Sequence, residues 1–286
     1  RHSFRIGVKR LRPALLLLAA QANGPVRPSH RTLAAVVEMI HTATLVHDDV
    51  LDDADIRRHE ETINARWSNQ TSVLLGDYLF THAFYLASTL DSTFGCRAIG
   101  RATNTVCEGE LLQTASCGNF LLSRDEYFAI VEAKTAELCA CCCLLGAHYA
   151  GADSPTVERF ETFGRELGIA FQIADDLLDL EGDERAAGKS LGTDLANGKV
   201  TLPMILLREQ LDERRRSELQ ELFETSDVDR SPLLIDWLDR SGALSTAREI
   251  AGGHAEKAAS YLQNTADGQA KRALLQICEF VVNRSA

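Results

Sequence analysis

The stretch HTATLVHDDVLD, residues 41–52, lies inside a run from Thr32 to about Asp55 in which apolar residues recur every three to four positions. The positions that carry this spacing are Leu33, Val36, Val37, Ile40, Thr44 and Val50. The period predicts one long amphipathic α-helix. Because Asp48 and Asp52 are four residues apart, they would project from one face of that helix, one turn from each other.

A second acidic stretch, FQIADDLLD at residues 171–179, repeats this arrangement far downstream. Its apolar neighbours predict a helix that is mostly buried, where unpaired carboxylates are costly. A single run of acidic residues more commonly forms a solvent-exposed helix face. Two such clusters on buried helices instead favour a shared site for Mg²⁺. This ion takes oxygen ligands and completes its coordination shell with water and phosphate oxygens. The expected metal-binding residues are Asp48, Asp49, Asp52, Asp175, Asp176 and Asp179.

The rest of the chain shows the same helical period, and the alternating apolar and polar runs of strands are missing. We therefore predict an all-α protein that forms a single domain over residues 1–286. The further helices predicted are Arg12–Asn23, Ser72–Leu90, Cys96–Ser116, Arg124–Ala150, Thr156–Leu180 and Leu202–Arg216, followed by shorter ones. Between Glu181 and Val200 glycines alternate with Asp and Lys, which predicts a long polar loop with a functional role.

Composition limits the possible partners. The chain has 286 residues, with 41 acidic and 30 basic side chains and a net charge of −11, which argues against a generic nucleic-acid binder. The apolar run Pro13–Ala20 is too short to span a bilayer, so no stable membrane insertion is expected. The chain begins at Arg1 without a methionine, and we expect that an N-terminal segment has been trimmed or is not seen.

Four of the eight cysteines stand together as Cys139, Cys141, Cys142 and Cys143. Neighbours on one helical turn do not all pair with distant partners, and the spacing of zinc ligands is absent. We interpret them as reduced thiols that pack as small apolar residues in a cytoplasmic protein.

An acidic protein that binds anions needs cations placed locally, where Arg offers bidentate contacts and Lys a point charge. Several basic side chains lie near the two aspartate clusters or within the glycine-rich loop. They are Lys9, Arg10, Arg12, Arg57, Arg58, Lys134 (beside Thr135), Lys189 and Lys199.

Seven segments, taken together and in order, resemble the trans-isoprenyl diphosphate synthases, also called polyprenyl synthetases. The segments are GVKRLRP (7–13), HTATLVHDDVLD (41–52), Arg57-Arg58, LLGDYLF (74–80), KTA (134–136), FQIADDLLD (171–179) and GKSLGTDLANGKVTLP (188–203). The chain departs from the family pattern at Val8, where a second glycine is usual, and at His59-Glu60-Glu61 after the arginine pair. These departures leave every charged ligand in place and affect only the expected loop conformation and affinity.

The resemblance implies a helical bundle of the isoprenoid synthase type with a central cavity, and an enzyme that joins isopentenyl diphosphate to an allylic diphosphate. It implies about three Mg²⁺ ions on the aspartates and a homodimer with the Leu74–Tyr85 and Cys107–Gln113 helices near the interface. The implied allylic diphosphate ligands are Arg57, Lys134, Lys189 and Lys199; the implied isopentenyl diphosphate ligands are Lys9, Arg12, His41 and Arg58; and the implied catalytic residues are Lys134, Thr135, Gln172 and Lys189.

The resemblance also bears on product length. The small residues Ala43 and Thr44 lie one turn before Asp48, where bulky aromatics in the family give short products. We therefore expect a medium or long all-trans product, of the octaprenyl type, and expect Ala43→Phe to shorten it. A geranylgeranyl or farnesyl diphosphate synthase is the alternative.

Other functions stay open on the residues alone. His47-Asp48, with His41 and Asp175, superficially resembles the metal site of HD-type phosphohydrolases. A non-catalytic regulatory subunit typically loses aspartates of the clusters, which this chain keeps. Terpene cyclisation would not require isopentenyl diphosphate.

Overall fold

The protein is described by a computed structural model that covers residues 10–57, 60–181, 192–224 and 230–283. The helices are α1 (Leu11–Asn23), α2 (Pro28–Leu51), α3 (Ile63–Arg66), α4 (Asn69–Ser88), α5 (Thr93–Ser116), α6 (Arg124–Val131), α7 (Glu137–Ala150), α8 (Ser154–Glu181), α9 (Thr193–Ala196), α10 (Leu202–Gln210), α11 (Glu213–Glu224), α12 (Arg230–Ser241), α13 (Ala243–Tyr261) and α14 (Gln269–Asn283). A short antiparallel hairpin, β1 (Ile56–Arg57) and β2 (Glu60–Glu61), follows α2. The all-α prediction is confirmed. None of the described helices combines the length and the apolar character that crossing a membrane requires.

The prediction of one helix over Leu202–Arg216 is wrong, because the helix is interrupted between α10 and α11. Asp212 lies in this break, and its carboxylate accepts a hydrogen bond from the backbone N–H of Arg215 at 2.9 Å. An aspartate in this position caps the first turn of the next helix and stabilises a new start. The hairpin after α2 and the short helix α9 are further elements that the apolar period did not reveal.

The predicted helix Arg124–Ala150 is continuous but not uniform. It begins at a capping box in which Ser123 and Glu126 bond each other's backbone N–H groups. Between α6 and α7, residues Glu132–Ala136 form one π-helical turn. Such turns are rare and are frequently found at functional sites, and this one carries Lys134 and Thr135.

Helix α8 lies between two apolar clusters. Phe160 and Phe163 face the cluster shared with α1, α2, α5 and α7, whereas Ile173 and Leu177 face the cluster shared with α6 and α10. Burial of each phenylalanine side chain stabilises the folded state by roughly 1.5–3 kcal/mol. The two-sided burial fixes the rotation of α8 about its axis and thereby the direction in which its aspartates point.

Helix α8 closely approaches α7 and the π-helical turn before it at two glycines. A Cβ atom at Gly164 would lie 2.6 Å from the carbonyl oxygen of Cys139, and one at Gly168 would lie 2.5 Å from the Cα atom of Ala136. The four clustered cysteines of α7 are all buried in this core, and burial raises the pKa of the Cys141 thiol to about 12.

Candidate active site

Both aspartate clusters line the same cavity, which has a volume of about 280 Å³. Asp48 and Asp52 enter it from the end of α2, and Asp175 and Asp176 enter it from the end of α8. Each cluster therefore lies at the C-terminal end of a helix, where the helix dipole is negative and disfavours carboxylates. Such an arrangement requires cations nearby.

The described walls of the cavity are nearly balanced in charge. Six carboxylates face five Lys and Arg side chains: Asp48, Asp52, Glu110, Asp175, Asp176 and Asp194 against Arg10, Arg12, Arg57, Lys134 and Lys199. A single diphosphate would leave this cavity with a large negative excess. Because like charges at close range repel strongly in a partly buried site, added cations would stabilise an anionic substrate here together with the basic side chains.

Asp48 shows the cost of this crowding. Burial raises its pKa to about 6, Lys134 lowers it again, and Glu110 and Asp52 raise it. A positive charge close to this carboxylate would favour its ionised form.

Lys134 reaches the cavity from the π-helical turn. Its Nζ atom lies 2.7 Å from Oε1 of Glu110 and donates a hydrogen bond of 2.7 Å to Oε1 of Gln113. Both partners lie on α5, three residues apart and on one face of that helix. A Cβ atom at Gly109 would lie 2.7 Å from the Lys134 backbone nitrogen, so the glycine is what allows α5 to approach the π-helical turn.

A chain of hydrogen bonds crosses the floor of the cavity. The Thr135 hydroxyl donates to Oε1 of Gln172 at 2.7 Å, and Gln172 Nε2 donates to Oδ1 of Asp176 at 2.8 Å. The Tyr127 hydroxyl donates to the second oxygen of Asp176 at 2.6 Å. Burial, followed by the charge of Asp194, raises the pKa of Asp176 to about 8. This network fixes Thr135 and Gln172 in one orientation.

Asp49 is turned away from the cavity and is buried. Its Oδ1 atom accepts a hydrogen bond of 2.5 Å from Nε of Arg57, which itself lines the cavity from β1. Asn64 Nδ2 donates to the Asp49 carbonyl oxygen at 3.2 Å. Asp49 therefore positions Arg57.

Lys199 links the two sides of the cavity mouth. Its Nζ atom lies 3.2 Å from Oδ1 of Asp52 and 3.7 Å from Oδ1 of Asp194. Burial works against the charge, but Asp194 and Asp52 outweigh it and raise the pKa of Lys199. Asp179, the last aspartate of the second cluster, is not among the described residues that line the cavity; it bonds Thr193 and the Asp194 amide instead.

The remaining expected diphosphate ligands divide into two groups. Arg12 and His41 line the cavity, as does Arg10, whose φ of 50° is unusual for a side chain with a Cβ atom. The Nε atom of Arg12 is buried and has no hydrogen-bond partner within the described part of the chain. Lys9, Arg58 and Lys189 lie outside the described residues.

The two candidate chain-length residues occupy different environments. Thr44 lines the cavity, and its hydroxyl donates to the His41 carbonyl oxygen at 2.9 Å. Ala43 is completely buried and is not among the described cavity-lining residues. His47 points away from the cavity, against α4, with Nε2 3.2 Å from the Val73 carbonyl oxygen. This position removes His47 from any metal site of the HD type.

The carboxylates suit Mg²⁺ only in part. Within the described ranges, no three carboxylate, His or Cys side chains converge closely enough to hold a metal by themselves. Mg²⁺ keeps several waters and binds through one or two carboxylates plus substrate phosphates. The donor set therefore fits Mg²⁺ ions whose coordination a diphosphate completes.

Sequence reasoning missed four residues of this site: Glu110, Gln113, Tyr127 and Asp194. Glu110 and Gln113 carry a signal, because they are three residues apart on a predicted helix. Asp194 stands in the glycine-rich loop, whereas nothing in the sequence around Tyr127 indicates its bond to Asp176.

Comparison with known proteins gives consistent matches. Residues 1–234 match the family model described as Polyprenyl synthetase. The chain is 35% identical over 280 residues to an octaprenyl diphosphate synthase from Escherichia coli (strain K12), covering 97% of this chain and 86% of that protein. The crystal structure of a decaprenyl diphosphate synthase from Rhodobacter capsulatus is similar with a TM-score of 0.93 and 36% identity, over 100% of this chain and 88% of that one. A polyprenyl synthase from Caulobacter crescentus CB15, complexed with calcium and isoprenyl diphosphate, matches with the same TM-score of 0.93, 36% identity and coverage of 100% and 88%.

Proposed function

This chain belongs to the polyprenyl synthetase family, and on that premise we propose that its cavity condenses isopentenyl diphosphate with an allylic diphosphate in a Mg²⁺-dependent reaction. It is a prenyl diphosphate synthase of the medium- or long-chain trans type. The observation that carries the proposal is the meeting of Asp48 and Asp52 with Asp175 and Asp176 in one cavity.

The metal belongs to the proposal. Family membership implies a divalent cation, and the Caulobacter relative was crystallised with calcium and isoprenyl diphosphate. We assign Mg²⁺, about three ions, to the cluster aspartates. When bound, the ions would stabilise negative charge on the departing diphosphate as Lewis acids.

The basic side chains would act on the same leaving group. Arg57, Lys134 and Lys199 line the cavity beside the clusters, where preorganised donors stabilise charge that develops as the C–O bond breaks. Asp49 and Glu110 hold Arg57 and Lys134 in these positions before substrate arrives. Lys189, which lies outside the described residues, is proposed for the same diphosphate.

Arg12 and His41 also line the cavity and would hold isopentenyl diphosphate, together with Lys9 and Arg58 outside the described residues. Thr135 and Gln172, fixed by the bond to Asp176, would lie near the reacting carbons. The bond between the allylic carbon and its diphosphate would break, the isopentenyl double bond would attack that carbon, and the departing diphosphate would take up the proton whose loss gives a trans alkene. Orientation of two bound reactants is the main contribution of such a site.

The assay is incubation of the purified chain with isopentenyl diphosphate, each of three allylic primers and Mg²⁺, followed by mass spectrometry of the products. We expect prenyl diphosphates extended by successive five-carbon units, together with released diphosphate, and no products when the metal is chelated. Release of phosphate without a longer prenyl product would overturn the proposal. Turnover without isopentenyl diphosphate would favour cyclisation instead.

A homodimer is part of the proposal. Helices α4 and α5 expose large apolar side chains, including Leu74, Tyr78, Tyr85, Leu111 and Leu112. Exposed apolar patches of this kind mark protein interfaces. We further propose that the chain forms one domain. The cytoplasm is the proposed location, because a reducing compartment suits four clustered cysteines that pack as buried thiols.

A further inference from the structure

Asp179 differs from the other aspartates of its helix. Its side chain is only 2% exposed, and it lies one helical turn beyond Asp175, past the described wall of the cavity. Asp175 and Asp176 line the cavity, whereas Asp179 bonds residues in the C-terminal part of the glycine-rich loop.

Three hydrogen bonds join Asp179 to the start of residues 192–199, which we call the anchored segment. The Thr193 hydroxyl donates to Oδ1 at 2.7 Å, the Asp194 backbone N–H donates to Oδ2 at 3.0 Å, and the Gly192 N–H donates to the Asp179 carbonyl oxygen at 2.7 Å. Both carboxylate oxygens are thus engaged by one short stretch of chain. Hydrogen bonds donated to a charged acceptor are among the stronger ones in proteins.

Hydrogen bonds within the anchored segment connect its attachment at Asp179 to Lys199. The Lys199 backbone N–H donates to the Asp194 carbonyl oxygen at 2.8 Å, and its ammonium lies between Asp194 and Asp52. At the far end, the Gly118 N–H donates to the Gly198 carbonyl oxygen at 2.8 Å. Leu195, buried between these two attachments, packs in the same apolar cluster as Leu180. The position of the Lys199 charge therefore depends on Asp179.

We infer that Asp179 is a positioning residue rather than a metal ligand: it anchors residues 192–199 and so sets Lys199 opposite Asp52. This inference rests on the proposed function, because it assigns one aspartate of the proposed metal set a different role. It predicts that loss of the anchor affects catalysis through the placement of Lys199 and leaves the metal affinity nearly intact.

Two pairs of variants separate the roles. In Asp179→Asn the amide oxygen still accepts from the Asp194 N–H and the amide nitrogen can donate to the Thr193 hydroxyl, but the negative charge of a metal ligand is gone. Asp179→Ala removes both bonds. Thr193→Val removes the other partner without touching any carboxylate, and Thr193→Ser, its matched control, keeps the hydroxyl.

Hydrogen exchange of the metal-free protein tests the anchor without relying on activity. We expect exchange in the peptide that covers residues 192–199 to rise about tenfold or more in Asp179→Ala and in Thr193→Val, since a tenfold change corresponds to the net value of about one hydrogen bond. Thr193→Ser should stay near the wild type. Unchanged exchange in Asp179→Ala, with the fold intact by circular dichroism, would overturn the inference whether or not the wild type makes product.

Kinetics with Mg²⁺ and an allylic primer test the role in the reaction. We expect Asp179→Ala to lose about 10²-fold in kcat/KM, the effect of a misplaced catalytic group, and Asp179→Asn to restore most of it. The half-saturating Mg²⁺ concentration should stay within about threefold of the wild type in both. If Asn and Ala lose activity alike and both raise the Mg²⁺ requirement, as we expect for Asp175→Asn, then Asp179 is a ligand and the inference is wrong.

Discussion

The ammonium group of Lys134 lies 2.7 Å from the carboxylate of Glu110, on a π-helical turn that faces the second turn from the end of α5. Glu110 also borders Asp48 and raises its pKa. The ion pair thus holds a cation beside the first aspartate cluster before any substrate is present. A diphosphate that enters the cavity meets a charge that is already oriented, so little reorganisation is required at that contact.

Lys134→Gln tests the contribution of this charge. We expect kcat/KM for the allylic diphosphate to fall about 10²-fold or more, because one preorganised donor to a developing anion contributes on this scale. The control is Lys257→Gln, since Lys257 also pairs with a glutamate, Glu166, at 2.6 Å but lies outside the cavity lining. A Lys134→Gln enzyme with wild-type kinetics would show that the cation is dispensable.

Gly168→Ala tests the close approach that brings Thr135 to Gln172. The added methyl group would lie 2.5 Å from the Cα atom of Ala136, and overpacking of this kind costs about 1–3 kcal/mol of unfolding free energy. The matched control is Gly253→Ala on α13, where nothing beyond the adjacent residues and the helix's own backbone lies within 4 Å of the added methyl group. There the helix propensity of alanine should stabilise by up to about 1 kcal/mol. Equal effects of the two substitutions in urea unfolding would contradict the packing argument.

The long helices were predictable because one strong signal dominates each of them. In α2 and α8 the apolar period is regular over many turns, so the burial of one face decides the structure. The same regular period allowed Asp48 and Asp175 to be placed on helix faces. That both clusters line one cavity is a property of the tertiary structure, which the spacing of residues along the chain does not predict.

Residues that act through local geometry were harder to predict. The break at Asp212 depends on a side-chain cap, and a single polar residue within a helical pattern gives little warning of it. The π-helical turn at Lys134 depends on packing against α5. Tyr127 reaches Asp176 across 49 positions of sequence, and only the fold brings them together.

Thr44→Phe tests where the growing prenyl tail lies. Thr44 lines the cavity one turn before Asp48, and one isoprene unit is about as long as one helical turn, roughly 5 Å. We expect Phe to shift the products to chains shorter by at least one five-carbon unit, measured by mass spectrometry. Thr44→Val, which keeps the size, should leave the distribution unchanged. Ala43→Phe is a less direct probe, because Ala43 is completely buried and Phe would overpack the core. An unchanged distribution in a folded Thr44→Phe enzyme would reject this path.

Leu111→Glu tests the proposed dimer interface. Leu111 is 71% exposed on α5 in the single chain, and a charge in the centre of an apolar interface is strongly disfavoured. Light scattering with size-exclusion chromatography should give a dimer mass for the wild type and the mass of a 31.4 kDa protomer for the variant. Leu233→Glu, at a residue 55% exposed on α12, should remain dimeric. A dimeric Leu111→Glu protein would place the interface elsewhere.

The free energy of unfolding should depend on pH through the buried His30. Its Nδ1 atom accepts a hydrogen bond of 2.8 Å from the Arg27 N–H, and Nε2 lies 3.2 Å from the Gly146 carbonyl oxygen, so the neutral ring fits. Burial lowers the pKa of His30 below the ordinary value of 6.5. The unfolded chain therefore binds a proton more readily, and the stabilisation by His30 is complete above pH 6.5 and is lost as the pH falls towards the folded-state pKa. We expect the advantage of the wild type over His30→Gln in urea unfolding to be smaller at pH 5.5 than at pH 7.5, two values on either side of the ordinary histidine pKa of about 6.5. The comparison between the two proteins cancels contributions from other groups, such as His148, whose pKa burial also lowers. An advantage that stays constant or grows on acidification would show that His30 is not held neutral.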